Sequence, residues 1–228
     1  MWFDTHAHVD HAQFAQDREA AIERAREAGV TRFVNIGHNR QSARDTLELI
    51  DRYDWIYGTL GLHPHDAKDM SDALIDEYRA QAAHPKILAI GEIGLDFHYE
   101  HAPRDVQRQA FRRQIRLAGE LALPVAIHDR EAHRECLDIL TEEGGWANGG
   151  IFHCYSGSAE LAREIVEKGF YISFSGVLTF PNTQKLRKAA AWYLLQTGKS
   201  DQPCRFDVLS LLLRENEEPQ EDWIQNAF

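Results

Sequence analysis

Between Trp2 and Phe174, short apolar runs alternate with helix-length stretches seven times, and few architectures accept such a pattern. Trp2–His8 reads as a strand, after which Ala21, Ala25 and Ala28 recur at helical spacing and stop at Gly29. Phe33–Ile36 is the next strand, and Ala43, Leu47 and Ile50 mark the helix behind it. Trp55–Leu62 and Ile87–Ile90 flank a helix over residues 71–84. A longer helix carries Phe111, Ile115, Ala118 and Ala122 on one stripe and ends at Pro124, which opens the strand Val125–Ile127. A helix near Cys136–Leu140, the strand Gly150–Phe152, a helix with Leu161 and Ile165 closed by Gly169, and the run Phe170–Phe174 complete the series.

Strands separated by helices call for right-handed crossover units and a parallel sheet buried on both faces. The expected fold is therefore α/β, a TIM-type (β/α) barrel. An open doubly wound sheet is the runner-up, but the Gly-rich phosphate fingerprint that follows its first strand is absent. The length of 228 residues is close to the roughly 250 typical of such a barrel, and 43% apolar residues can fill its core. No Pro-rich, Ser-rich or low-complexity linker interrupts the alternation, which points to one domain.

The polar residues at the strand ends carry the chemistry. His6 and His8 lie on the first strand, His63 after the third, Glu92 after the fourth, His128 after the fifth and His153 after the sixth. In a barrel these ends converge at the C-terminal face, where active sites are built. Any one of these histidines is more often a hydrogen-bonded loop residue, but the joint pattern favours a metal site. On a strand, residues two apart share a face, so His6 and His8 can grip one ion. Glu92 sits among apolar residues, where an unpaired carboxylate is costly to ionise and a cation removes the cost. Its two oxygens allow it to bridge two ions, with His6 and His8 on one and His128 and His153 on the other. Paired ions hold the attacking and leaving oxygens of a phosphoryl displacement and acidify water, so hydrolysis near neutral pH is the expected chemistry.

Taken in order, Asp4-Thr5-His6-Ala7-His8 with Asp10, Gly61-Leu62-His63-Pro64-His65, Gly91-Glu92-Ile93-Gly94-Leu95-Asp96, Ile127-His128, Phe152-His153-Cys154-Tyr155-Ser156-Gly157 and Gly169–Gly176 resemble the successive motifs of the TatD family of metal-dependent hydrolases. The resemblance runs from residue 2 to about residue 190. It implies an amidohydrolase-like barrel with divalent metal ions, two in number and of the Mg, Mn or Zn kind, and deoxyribonuclease activity on DNA or another phosphodiester. Carried over by position, His6, His8, Glu92, His128 and His153 match the family's metal ligands. Glu92 and His63 are the expected catalytic residues, the resemblance implying for His63 a place near the substrate, either backing the metal ligands or facing the phosphate. His11, His38, His84, His98, His101 and His133 receive no function. The arginine run from Arg104 to Arg116 reads as a solvated helix face, and Cys154 as packing outward on its strand.

After Ala190 the resemblance lapses, so the expected division is a hydrolase barrel over 1–190 and an atypical tail over 191–228, with an irregular or missing eighth strand. The family's eighth strand ends in Glu-Thr-Asp-x-Pro, whose aspartate ligates metal and takes a proton from water. Asp201 and Asp207 are the candidates for that place, neither with the motif around it, and Gly198 stands where a third alignment would need the carboxylate. An abrupt loss of pattern is what a change of reading frame produces, a hypothesis that resequencing the locus decides. Open strand edges would then favour association with other chains and weak hydrolysis.

A formal charge of −11 argues against broad attraction to nucleic acid or anionic membranes, so a phosphate-bearing substrate needs local help such as a bound cation. Cys136, Cys154 and Cys204 form an odd set without CxxC spacing, as expected of reduced thiols. The first residues lack a leader pattern and no apolar run nears the ~20 residues of a bilayer span. The expectation is a soluble, cytoplasmic protein. Competing functions are a related barrel hydrolase acting on amides, lactones or phosphotriesters, and a catalytically silent metal-binding protein. The first often bridges its ions with a modified lysine where this chain has Glu92.

Overall fold

The computed structural model describes residues 2–175, residues 184, 188, 189, 191, 192 and 195, and the backbone of 208–212 and 220–224. Among them, seven parallel strands form one sheet: β1 (Trp2–Ala7), β2 (Val30–Ile36), β3 (Ile56–Leu60), β4 (Ile87–Asp96), β5 (Val125–Arg130), β6 (Gly150–Phe152) and β7 (Tyr171–Ile172). Helices α1 (Arg18–Glu27), α2 (Arg40–Arg52), α3 (Asp72–Gln81), α4 (Arg104–Leu121), α5 (His133–Glu142) and α6 (Ala159–Glu167) fill the successive crossovers. Strands β8 (Val208–Leu212) and β9 (Gln220–Ile224) pair antiparallel with each other, in a sheet of their own.

The strand order follows the chain order without a reversal. A doubly wound sheet reverses at its switch point, so the runner-up architecture is excluded. Curvature follows from one contact. In a flat sheet with neighbours ~4.8 Å apart, β1 and β6 would lie about 24 Å from each other. Yet the rings of His6 on β1 and His153 just after β6 stack with centroids 3.9 Å apart. The sheet is curled into an incomplete barrel whose strand ends meet over one mouth.

Burial explains the curl. Phe33, Ile56, Leu60, Ile90, Ile93, Ile127 and Phe152 are almost fully buried, and the helices add Ile22, Ile50, Tyr78, Phe111, Ile115 and Leu140 to the same cluster. Polar caps begin several helices: Asn39 accepts from the Ser42 N–H at α2, Ser71 from Leu74 at α3 and Ser158 from Leu161 at α6. The arginines of α4 lie along its flanks. Arg108 pairs with Glu135, Arg112 with Glu142 and Glu143, Arg113 with Asp72 and Arg116 with Glu143, which ties α4 to its neighbours and neutralises the run.

Strand β4 departs from its sequence reading. The apolar run ends at Ile90, but the strand continues to Asp96 through a bulge: Ile90 pairs with Val125 and Ile93 with Ile127, three residues opposite two. The extra residue falls at Gly91–Glu92 and turns the glutamate toward the mouth. Close approach of β5 requires the glycines here. A Cβ on Gly91 would lie 2.5 Å from the Ala126 Cβ, and one on Gly94, whose φ is +144°, would lie 1.9 Å from the His128 carbonyl oxygen. Cys154 is a further difference. It lies beyond the end of β6 with φ of 49°, half-buried, its Sγ 2.6 Å from the Ser175 hydroxyl, and is not on a strand face.

Substitution separates these glycines from the helical one. Gly94→Ala is expected to lower the unfolding free energy by about 1–3 kcal/mol or more, whereas Gly119→Ala on α4, where a Cβ meets nothing within 4 Å, should raise it by about 0.5–1 kcal/mol. Urea unfolding of both variants checks the pair.

Candidate metal centre

Glu92 is the centre of the mouth, only 4% exposed although it is charged. Its two oxygens face different partners. Oε2 lies 3.6 Å from Nε2 of both His6 and His8, whose nitrogens are 3.2 Å apart. Oε1 lies 2.7 Å from His153 Nε2, 2.9 Å from His128 Nδ1 and 3.8 Å from His63 Nε2. Each imidazole comes from a different strand end or the residues just after it, except for the β1 pair, so the curl of the sheet is what assembles them.

A further layer of hydrogen bonds sets which nitrogen each ring presents. His8 Nδ1 donates to the Ile36 carbonyl at 3.1 Å, which leaves its Nε2 lone pair facing His6 and Glu92. His128 Nε2 donates to Asp96 Oδ2 at 3.1 Å and so turns Nδ1 toward Glu92. Asp96, fully buried at the end of β4, accepts from His65 Nε2 at 2.9 Å through the same oxygen. Its other oxygen accepts the backbone N–H groups of His98 and Tyr99, and Gln107 of α4 brackets its main chain. His63 begins a 3-10 turn over Pro64–Asp69 and accepts the His65 N–H on Nδ1, so its proton-bearing Nε2 faces the carboxylate.

Burial alone would push the Glu92 carboxyl up, but hydrogen bonds from His128, His153 and His6 outweigh it and hold the group well below the usual carboxylate range. Burial also dominates His8, His63 and His153 and pulls each down, His63 to about 3, so these rings are neutral at neutral pH. For His128 burial acts downward too, but the bonds to Asp96 and Glu92 outweigh it and raise the ring to about 9. The ionised carboxylate and the neutral rings of His8 and His153 are in the protonation state that divalent ions require of their ligands, and His128 must release its proton to join them. Ligand atoms of His6, His8 and Glu92, and of His63, Glu92 and His128, lie within 4.8 Å of one another in each set.

The centre opens into a cleft of about 840 Å³ lined by His8, His38, His63, His65, Glu92 and His101 among others. The structure thus brings together all six residues singled out in the sequence: His6, His8, His63, Glu92, His128 and His153. It adds several that sequence reasoning missed. Asp96 and His65 stood inside recognised motifs without a role; a carboxylate ending an apolar strand and a second histidine two residues after the first were the available signals. His11, His38 and His101, given no function, lie at the cleft wall. His84, His98 and His133 pair with Asp51, Glu131 and Asp129 and stand apart from it. Asp201 and Asp207, and with them the question of the eighth-strand aspartate, lie outside the described residues.

A curled parallel β/α sheet whose strand ends surround a buried carboxylate with imidazoles defines the class of metal-dependent barrel hydrolases. Residues 3–196 match the family model described as TatD related DNase, and the chain belongs to the TatD family. It is 46% identical over 185 residues to the "Uncharacterized metal-dependent hydrolase YabD" of Bacillus subtilis, covering 81% of this chain and 72% of that protein. It is 37% identical over 174 residues to the "3'-5' ssDNA/RNA exonuclease TatD" of Cronobacter sakazakii, covering 76% and 66%. The crystal structure of the TatD homologue YJJV from Escherichia coli K12 superposes with a TM-score of 0.76 at 31% identity, covering 83% of this chain and 74% of that one. The chain therefore spans about two thirds to three quarters of the length of these relatives.

Two outcomes follow from the network. His128 holds its proton to about pH 9 in the metal-free fold against an ordinary value of 6.5. Its contribution is complete below pH 6.5 and lost as pH rises through 9, on the order of 3 kcal/mol in all. Urea unfolding of metal-free protein across that window should show the loss; a flat profile contradicts it. Asp96→Asn removes the acceptor that selects the His128 tautomer and should weaken divalent-ion binding by about 10–100-fold, read by calorimetric titration.

Proposed function

We propose that this chain is a divalent-metal-dependent phosphodiesterase that hydrolyses single-stranded nucleic acid from an end. The observation that carries the reading is the division of one buried carboxylate between two imidazole sets, His6 and His8 on Oε2 and His128 and His153 on Oε1. Among the described residues no lysine or arginine pairs with Glu92, so its charge is left for a cation, and the nitrogen and oxygen donors fit one. Glu92 would bridge two ions, each completed by one histidine pair, with Mg, Mn and Zn as the ions to test. Such ions supply positive charge to a phosphodiester and acidify water.

The chain's own residues do the rest. The Nε2–H of His63 faces the carboxylate and is placed to donate to a phosphate oxygen in the cleft. Asp96 orients His128 and His65 together, so the ligand set and the cleft wall share one anchor. With a net charge of −11, a phosphate reaches this mouth only through such local donors and ions. The substrate class is supported by relatives named as 3'-5' single-stranded DNA/RNA exonucleases. A carboxylate in the bridging place, where related amide and lactone hydrolases use a modified lysine, favours the phosphodiester. No helix among the described residues is long and apolar enough to cross a membrane, and Cys136 and Cys154 are both free, which supports action in the reducing cytoplasm.

Purified protein incubated with Mg²⁺, Mn²⁺ or Zn²⁺ should shorten single-stranded DNA from its 3' end faster than duplex. Glu92→Gln should abolish this, and His63→Ala should lower kcat about 10²–10³-fold, as for loss of a preorganised donor. Cleavage that survives Glu92→Gln, or metal uptake without any cleavage, would overturn the reading.

A further inference from the structure

Beside the Glu92 centre, on the wall of the same cleft, His8, Asp10 and His38 present ligand atoms within 4.8 Å of one another. Asp10 follows β1 and His38 follows β2, so the pairing of adjacent strands brings them together. Two atoms in this group have no hydrogen-bond partner although both are buried: Asp10 Oδ1 and His38 Nδ1. The Asp10 side chain is only 2% exposed, and among the described residues no lysine or arginine pairs with its carboxylate. A buried carboxylate left in that condition is costly without a cation.

Neither group is free to turn away. Asp10 Oδ2 accepts the Ser42 hydroxyl at 2.5 Å, and its backbone carbonyl accepts from Arg18 at 2.7 Å. The His38 N–H donates to the same Ser42 oxygen at 3.2 Å, and its carbonyl accepts the His63 N–H at 2.8 Å. His38 Nδ1 and Asp10 Oδ2 are thereby held 3.8 Å apart, too far for a direct hydrogen bond.

The gap itself selects what bridges it. A water about 2.8 Å from each atom at a tetrahedral angle sets them about 4.6 Å apart. A cation with nitrogen and oxygen ligands at about 2.1 Å sets them about 3.4 Å apart. The observed 3.8 Å is nearer the second and closes onto an ion with a shift of a few tenths of an ångström.

We propose that Asp10 and His38 form a further divalent-cation site beside His8, whose Nδ1 is bound to the Ile36 carbonyl and whose Nε2 belongs to the Glu92 centre. Imidazole and carboxylate donors together select the borderline class, Mn²⁺, Co²⁺ or Zn²⁺, and two protein ligands leave the remaining positions open toward the cleft. The His8 ring meets His6 at 5.0 Å and His38 at 5.4 Å, so this ion sits close to those at Glu92 and is repelled by them. It binds last and most weakly. The site rests on donors of its own and does not depend on the substrate being nucleic acid.

Titration of the metal-free full chain with Co²⁺, followed by equilibrium dialysis and by the visible spectrum, tests this. The wild type should take up one equivalent more than His38→Ala or Asp10→Asn, and the missing one should be the weakest. The equivalents lost in Glu92→Gln should remain in His38→Ala. Equal uptake by the wild type and His38→Ala overturns the site whatever Glu92→Gln does, and so does loss of the Glu92-dependent equivalents in His38→Ala. Should Asp10→Asn fail to fold, His38→Ala decides alone, since its side chain is partly exposed and its loss leaves the Asp10–Ser42 bond intact.

Discussion

A buried carboxylate that must stay ionised governs this molecule. Glu92 is withdrawn from water at the bulge of β4, and withdrawal by itself favours the neutral acid. The imidazoles around it reverse that preference, and they come from β1, β5, the end of β6 and the loop after β3. They reach one carboxylate only if the sheet is curled. Packing closes the sheet from outside by burying Val, Ile, Leu and Phe, while the carboxylate binds its rim from inside.

Strand β4 is where these demands meet. Gly91 and Gly94 let β5 approach, the bulge between them re-aims Glu92, and Asp96 at the strand end holds His128 and His65. Fold and site therefore use the same ten residues. The site is assembled on rigid elements, with its supporting bonds drawn from α4 through Gln107 and from the Ile36 carbonyl of β2. Such backing keeps rings in place whether or not an ion is present.

The alternation of runs and helices was readable because the inner strands are largely buried, and His6, His8, Glu92, His128 and His153 were readable because each stands at a strand end. The bulge was not. Nothing in Ile90-Gly91-Glu92-Ile93 states that three residues will oppose two on β5, since register belongs to the pair of strands. His38 and His101 were not singled out either. His101 is a loop histidine with no apolar run before it, whereas His38 does follow the run Phe33–Ile36 but stands outside the recognised motifs, and the importance of each comes from neighbours distant in the chain: Asp10 and His8 for His38, His65 for His101.

What the sequence determined by itself was local: period, punctuation, and residue types able to bind a divalent ion at successive strand ends. Those features sufficed for a parallel β/α architecture and its family, because they depend on spacing along one chain. What the tertiary structure decided was relational. It set which oxygen of Glu92 faces which histidines, which nitrogen of His128 Asp96 leaves free, and that the Asp10 carboxylate and His38 Nδ1 stand 3.8 Å apart, with Asp10 Oδ1 and His38 Nδ1 left without hydrogen-bond partners. Bond directions and separations of a few ångströms between strands depend on the curl and register of the sheet, which arise only when all the strands pack at once.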